Sequence, residues 1–215
     1  MISYEQRYRT TENVFGAAPD RIIEMYAALM NPSLPVLDVG AGQGRNAFYL
    51  ARWGFAVDAV EPAPAGAETI AAVAARDGLR IRTHACGFED FPGEPSGYSG
   101  ILLIGMTQVL SREAMVDLLA RVDAWTAPRG LVFVTAFTVD DARYALHARR
   151  GSEIGPHSFA GPDGQIRTFL ESGELKTLFD GYHVVHHWEG LGPEHSHGEG
   201  EPERHALVEA VFRKR

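Results

Sequence analysis

From residue 36 to about 137, short apolar runs alternate with stretches whose apolar positions recur at helical spacing, the pattern of an open parallel sheet joined by helices. Val36-Leu-Asp-Val39 reads as the first strand, and Asn46 to Trp53 as a short helix with Phe48, Leu50 and Ala51 among its apolar positions, stopped by Gly54. Ala56 to Val60 is a second apolar run. The alanine-rich segment Pro64 to Asp77 predicts a longer helix, with Gly78 at its C-terminal stop. Ile81 to Cys86 and Ser99 to Ile104 predict two further strands. Ser111 offers an N-capping hydroxyl to a helix whose apolar positions include Met115, Leu118, Leu119 and Val122. Pro128-Arg-Gly130 reads as a turn into Leu131 to Phe137, a near-continuous apolar run expected of a strand covered on both faces. Two β-rich runs, Tyr182 to Trp188 and Ala206 to Arg213, finish the chain and are expected to pair as an antiparallel hairpin.

Three glycines, Gly40, Gly42 and Gly44, follow the first strand and precede the first helix of this region. Glycine there lets the backbone turn sharply and approach a ligand that a Cβ would exclude. The dinucleotide fingerprint needs its third glycine at position 45, which is Arg45, so a nicotinamide dinucleotide is disfavoured. Asp38 places a carboxylate beside the loop, which suits a ligand carrying an ammonium or sulfonium; S-adenosylmethionine carries both. About 20 residues on, Glu61 ends the second strand, where a carboxylate can accept two hydrogen bonds from a ribose diol.

Val36 to Asn46 followed by Glu61 resembles the first motif and the acidic end of strand two in class I S-adenosylmethionine-dependent methyltransferases. Gly42-Gln-Gly-Arg-Asn46, the leading Tyr4-Glu-Gln-Arg-Tyr-Arg9 and Val14-Phe-Gly-Ala-Ala-Pro19, and the late Phe169-Leu-Glu-Ser-Gly-Glu-Leu175 are similar to the tellurite-resistance and thiopurine-type branch. The resemblance implies an α/β, Rossmann-like fold: a seven-stranded, mostly parallel sheet with helices on both faces and an antiparallel C-terminal hairpin. It implies one methyltransferase domain over 1–215, with an N-terminal helical segment or lid (1–30), a cofactor-binding core (34–137) and a substrate-side part ending in the hairpin (138–215). S-adenosyl-L-methionine is the implied cofactor and S-adenosyl-L-homocysteine the product.

The resemblance also implies a cofactor-binding set of Tyr8, Arg9, Asp38, Gly40, Ala41, Gly42, Arg45, Asn46, Glu61, Pro62, Phe88 and Gly105. Asp38 helps hold the methionine ammonium, Arg45 and Asn46 reach its carboxylate, and Gly105 lets the chain pass close to it. Relatives hold the adenine amino group with an acid after strand three, where this chain has Gly87-Phe88, with Glu89 and Asp90 displaced by two or three positions. Phe88 is then expected to pack on the base. Met106, Thr107 and Gln108 face the acceptor, and Gln108 stands where relatives often carry a histidine. Tyr8, Arg9 and Phe15 belong to the segment expected to fold over the cofactor. His195, His197, Arg204 and His205 are acceptor-side candidates, because that branch associates histidine and arginine of the terminal hairpin with an oxyanion or soft nucleophile. His157 or a terminal histidine is available to take a proton.

Composition narrows the partners. The chain has 215 residues, and its net charge of −8 leaves basic clusters only at Arg149-Arg150 and Arg213-Lys-Arg215, so no nucleic-acid face is expected and a small-molecule methyl acceptor is favoured. No run of about 18 apolar residues exists and Met1 to Arg9 is polar, so neither a membrane span nor a secretory signal is expected, with the cytoplasm as the default compartment. One cysteine, Cys86, excludes an internal disulfide. The nine histidines lack metal-ligand spacing, and no metal is expected. A monomer or homodimer is the expected state. The reading is methyl transfer to a small molecule such as a tellurite or selenium oxyanion or a thiol, by in-line displacement. The alternative is a non-catalytic S-adenosylmethionine-binding module acting as sensor or partner subunit.

Overall fold

The computed structural model describes residues 3–194 and 203–215. Seven strands, β1 (Val36–Val39), β2 (Val57–Val60), β3 (Ile81–His84), β4 (Tyr98–Ile104), β5 (Thr126–Phe137), β9 (Tyr182–Leu191) and β10 (Ala206–Lys214), form one sheet in the order β3-β2-β1-β4-β5-β10-β9. The first five run parallel; β10 pairs antiparallel with both β5 and β9. Three short strands, β6 (Ser152–Gly155), β7 (Ser158–Ala160) and β8 (Ile166–Thr168), make a second antiparallel sheet.

Helices α1 (Tyr4–Thr10), α2 (Arg21–Tyr26), α3 (Arg45–Arg52), α4 (Pro64–Asp77), α5 (Arg112–Trp125), α6 (Tyr144–Arg150) and α7 (Glu174–Leu178) complete the regular structure. Side chains of a strand alternate between faces, and β4 shows the division. Ile101 and Leu103 pack with Met115, Leu118 and Val122 of α5 and Leu175 of α7. Leu102 packs on the other face with Ile22 and Ile23 of α2, Leu50 of α3 and Ile70 of α4. Burial on both faces explains why β1, β2 and β4 are nearly uninterrupted apolar runs.

The expected seven-stranded mixed sheet, its covering helices and the terminal hairpin are therefore present. Helix α4 keeps its predicted bounds, with Gly78 left-handed at φ +64° after it, and Ser111 Oγ accepts from the Ala114 amide as the cap of α5. The turn expected at Pro128 to Gly130 survives inside a longer strand: β5 begins at Thr126, Arg129 has φ +64°, and the register with β4 slips between Tyr98 and Gly100. Strand β3 ends at His84, two residues before the expected Cys86, whereas the hairpin strands run longer than their apolar runs.

The order reverses between β1 and β4, so the crevice beyond their C-terminal ends is where an open α/β sheet places its ligand. Close packing beneath it depends on Gly100 of β4, where a Cβ would run into Met30 Sδ. Replacing Gly100 with alanine is expected to cost about 1–3 kcal/mol by overpacking. Chemical denaturation should show a smaller cost when Met30 is already alanine, because the two positions share one contact.

Candidate functional site

The loop from Val39 to Arg45 rises from β1 into α3 with Gly40, Gly42 and Gly44 at φ +72°, +60° and +90°. Each glycine is required there. A Cβ on Gly40 would come within 2.8 Å of Met106 Sδ, and one on Gly44 within 2.7 Å of Phe48 and 2.8 Å of Ile70. Beside the loop, the buried Glu61 carboxylate accepts the Gly42 amide on Oε2 at 2.7 Å and the Ala63 amide on Oε1 at 2.8 Å. Burial pushes the Glu61 carboxyl up, against the pull of those two amides. An ionised carboxylate has about four lone-pair sites, so acceptor capacity remains toward the cleft.

That cleft has a volume of about 2240 Å³ and runs over the C-terminal ends of the parallel strands. It exceeds the roughly 300–1000 Å³ usual for one small ligand and has room for a nucleoside and a second molecule. Among the expected cofactor residues, Tyr8, Gly40, Ala41, Gly42, Arg45, Asn46, Glu61, Pro62, Phe88 and Gly105 line it, as do Phe15, Met106 and Gln108. Phe88 also belongs to the core cluster on the α5 face. Glu89 lines the cleft beside it, with its carboxylate folded back over Gly87 where a Cβ would clash. An acid thus reaches the end of β3 although the sequence displaces it by two positions.

Other expected residues stand elsewhere. Arg9 does not line the cleft: its side chain is 57% exposed and pairs one helical turn back with Glu5 at 2.6 Å. Asp38 lies behind the loop, 2% exposed, and its Oδ2 has no hydrogen-bond partner among the described residues. Burial pushes its carboxyl up to about 7, aided by Glu61 and opposed by Arg45 and the Ala47 amide. Asn46 uses Oδ1 to accept the Asp20 amide at 2.9 Å, and Arg45 donates to Ala18 O at 3.2 Å, so both hold the segment before α2 against the loop.

On the acceptor side, His205 lines the cleft, with Nδ1 2.8 Å from Asp141 Oδ2; the same oxygen accepts the Ala206 amide at 3.0 Å. His186 lies between Tyr26 Oη at 3.2 Å and Glu209 Oε1 at 3.1 Å, and both His186 and Glu209 line the cleft. Arg204 is turned away and donates to Gly192 O at 2.9 Å. His157 bridges Tyr144 and Glu171 outside the cleft, so the structure gives it no access to an acceptor there. His195 and His197 lie outside the described residues. Among the described residues no three histidine, cysteine or carboxylate groups are placed to hold a metal ion, and no helix is long and apolar enough to cross a membrane. Gln43, Asp141, His186 and Glu209 leave no local pattern in the sequence, because each has a partner 23 or more residues away.

Residues 36–130, from β1 into β5, match the family described as a methyltransferase domain. The match covers the glycine loop, Glu61, Glu89 and Gln108, all of which line the cleft. The methyltransferase of Burkholderia thailandensis that acts at N1 of 1,6-didemethyltoxoflavin, solved with that compound and S-adenosylhomocysteine, superposes with a TM-score of 0.64 at 24% identity over 89% of this chain and 75% of its own. TehB of Haemophilus influenzae superposes with a TM-score of 0.72 at 19% identity over 99% of this chain and 66% of its own. Both likenesses are likenesses of fold and extend over most of this chain. Among curated proteins, hemagglutinin 1 of Eikenella corrodens is 26% identical over 156 residues, 73% of this chain and 49% of that protein, so the chain spans about half the length of this relative.

The buried Asp38 gives the protein a pH signature. Unfolded, this carboxyl loses its proton near pH 4; folded, it keeps the proton up to about pH 7. The native state therefore binds more protons across that window, and its contribution to stability falls as pH rises from about 4 to 7. Urea denaturation at pH 5 and pH 8 should show wild type losing more stability over this interval than Asp38→Asn.

Proposed function

We propose that the chain transfers a methyl group from S-adenosylmethionine to a small-molecule acceptor. The observation that carries this reading is the Glu61 carboxylate bound to the Gly42 amide on the wall of the cleft, at the adjacent C-terminal ends of β1 and β2. This puts an acid with spare acceptor capacity next to bare loop backbone, the combination that a ribose diol joined to a charged amino-acid tail requires. Glu61 takes the ribose hydroxyls, and Phe88 and Glu89 take the adenine face and its amino group. Gly40, Gly42 and the Gly105 region approach the methionine part. Burial first, and Glu61 second, raise the pKa of Tyr8, which keeps its phenol protonated as a hydrogen-bond donor at this end.

When bound, the sulfonium supplies an already activated methyl. The protein's own part is orientation: holding the acceptor in line behind the methyl carbon and excluding water, an effect worth up to about 7–11 kcal/mol. The acceptor is a small molecule with a soft nucleophilic atom, either a thiol or a tellurite- or selenite-type oxyanion. Support comes from the histidines at the hairpin end of the cleft, His186 and His205, and from the likeness to TehB.

Calorimetry with S-adenosylhomocysteine should give a dissociation constant between low micromolar and millimolar. Glu61→Ala and Gly42→Val should each weaken binding by about tenfold or more, since tenfold corresponds to about 1.4 kcal/mol, the loss of one charge-assisted hydrogen bond. No heat for S-adenosylhomocysteine or S-adenosylmethionine overturns the donor assignment. Binding with no radiolabelled methyl transfer to thiols, purines, phenols or oxyanions replaces the enzyme reading with that of a cofactor-binding module.

A further inference from the structure

Gln43, between the second and third glycines of the loop, has a side chain bonded to the N-terminal segment. Gln43 Oε1 accepts the Val14 amide at 2.8 Å, and its Nε2 donates to Thr11 O at 2.9 Å and to Tyr8 O at 3.5 Å. One amide side chain thus grips the N-terminal segment at three backbone points spread over seven residues. A second tie comes from Glu5 on α1, whose Oε2 accepts the Ala65 amide at 2.9 Å. Ala65 lies in the first turn of α4, whose N-cap, Ala63, has no side chain able to satisfy an orphan amide. Glu5 supplies the missing cap from another helix, with its negative charge at the positive end of the helix dipole.

Between these ties lies Tyr8, 9% exposed and packed with Val14, Ala63 and Ala65 in a small apolar cluster of its own. Its ring spans the cleft wall: a Cβ on Gly42 would meet Tyr8 Oη at 3.2 Å, and one on Gly66 would meet Tyr8 Cδ2 at 3.1 Å. Tyr4, Tyr8, Thr11, Val14 and Phe15 all line the cleft. The segment over the donor end is therefore held by hydrogen bonds and a four-residue cluster, separate from the two large cores beneath the sheet.

We infer that Gln43 is a positioning residue that clasps residues 4–15 over the donor end of the cleft, setting Tyr8 against the nucleoside, and that this segment must release before the nucleoside product can leave. The inference rests on the proposed methyl-transfer reading for the identity of the nucleoside, whereas the clasp itself does not. Gln43 makes loop and segment one unit, so a nucleoside held by the loop is covered when the clasp is made and exposed when it breaks. Loss of the clasp acts on retention of donor and product. The methyl-transfer step proceeds between groups that Gln43 does not touch.

The test uses the full chain. In Gln43→Ala, S-adenosylhomocysteine should dissociate about tenfold faster in stopped flow, the effect of losing hydrogen bonds of ordinary strength. KM for S-adenosylmethionine should rise with little change in kcat. Without ligand, trypsin should cut faster at Arg7 and Arg9, while cleavage at Arg52 and Arg76 stays at the wild-type rate. Gln43→Glu keeps an acceptor for the Val14 amide and loses the donor to Thr11, and should fall between the two. Wild-type dissociation and wild-type cleavage at Arg7 and Arg9 in Gln43→Ala overturn the inference. So does faster cleavage at all four arginines, which marks general destabilisation. If neither protein binds S-adenosylhomocysteine, the donor reading fails, and the trypsin pattern still decides whether Gln43 is a clasp.

Discussion

A carboxylate buried against backbone amides holds the donor end of this molecule together. Glu61 closes β2, and its two oxygens take the Gly42 and Ala63 amides, so the end of one strand is fixed to the loop that follows its neighbour. Burying an acid is costly unless its oxygens are satisfied, and here the partners are backbone groups that must be satisfied as well. Each solves the other's problem. Gly66 of α4 packs against the same point, because a Cβ there would meet Gly42 O at 2.6 Å and Glu61 Cγ at 2.9 Å. Strand, loop and helix thus converge on one carboxylate, which fixes the loop backbone at the cleft wall.

Asp38 illustrates the opposite solution. It stands one strand away, equally buried, and burial pushes its carboxyl up to about 7, while its Oδ2 has no hydrogen-bond partner among the described residues. Two acids flank one glycine loop, but their environments push them into different tasks. Glu61 lines the cleft with its carboxyl tied to two backbone amides. Asp38 stays behind the loop, coupled electrostatically to Arg45 and Glu61. The residue-type pattern alone assigned both to the ligand, because sequence reports which acids flank the loop and not which side of the backbone each one occupies.

The fold was legible between residues 36 and 137 because β1, β2 and β4 are buried on both faces and every helix has a capping residue or a glycine stop, so apolar runs and punctuation coincide with real elements. Beyond residue 137 that logic weakens. Strands β6, β7 and β8 are three or four residues long and mostly exposed or half-buried, and α6 has no buried residue, so no hydrophobic period marks them. The same difference governed the site. Gly40, Gly42, Gly44 and Glu61 are local in sequence and declare themselves. The Asp141–His205 pair spans 64 residues and Tyr26–His186 spans 160, and only the folded chain brings them together. Arg9 was misplaced for a related reason: its neighbour Tyr8 does line the cleft, but one residue on a helix turns the side chain about 100°, onto the face where Glu5 waits.

The two ends of the cleft are consequently built from different materials. The donor end is backbone, glycine and one shared carboxylate, which tolerates little change, because each glycine has a neighbour standing where a Cβ would go. The other end is assembled from late-chain side chains held in polar pairs: Arg143 with Glu203, His205 with Asp141, and His186 with Glu209. Pairing satisfies these polar groups beside an apolar wall that includes Trp188, Leu191 and Leu207. It also means that altering one partner redirects the other. The family match stops at residue 130, before most of the side chains that line this second end of the cleft.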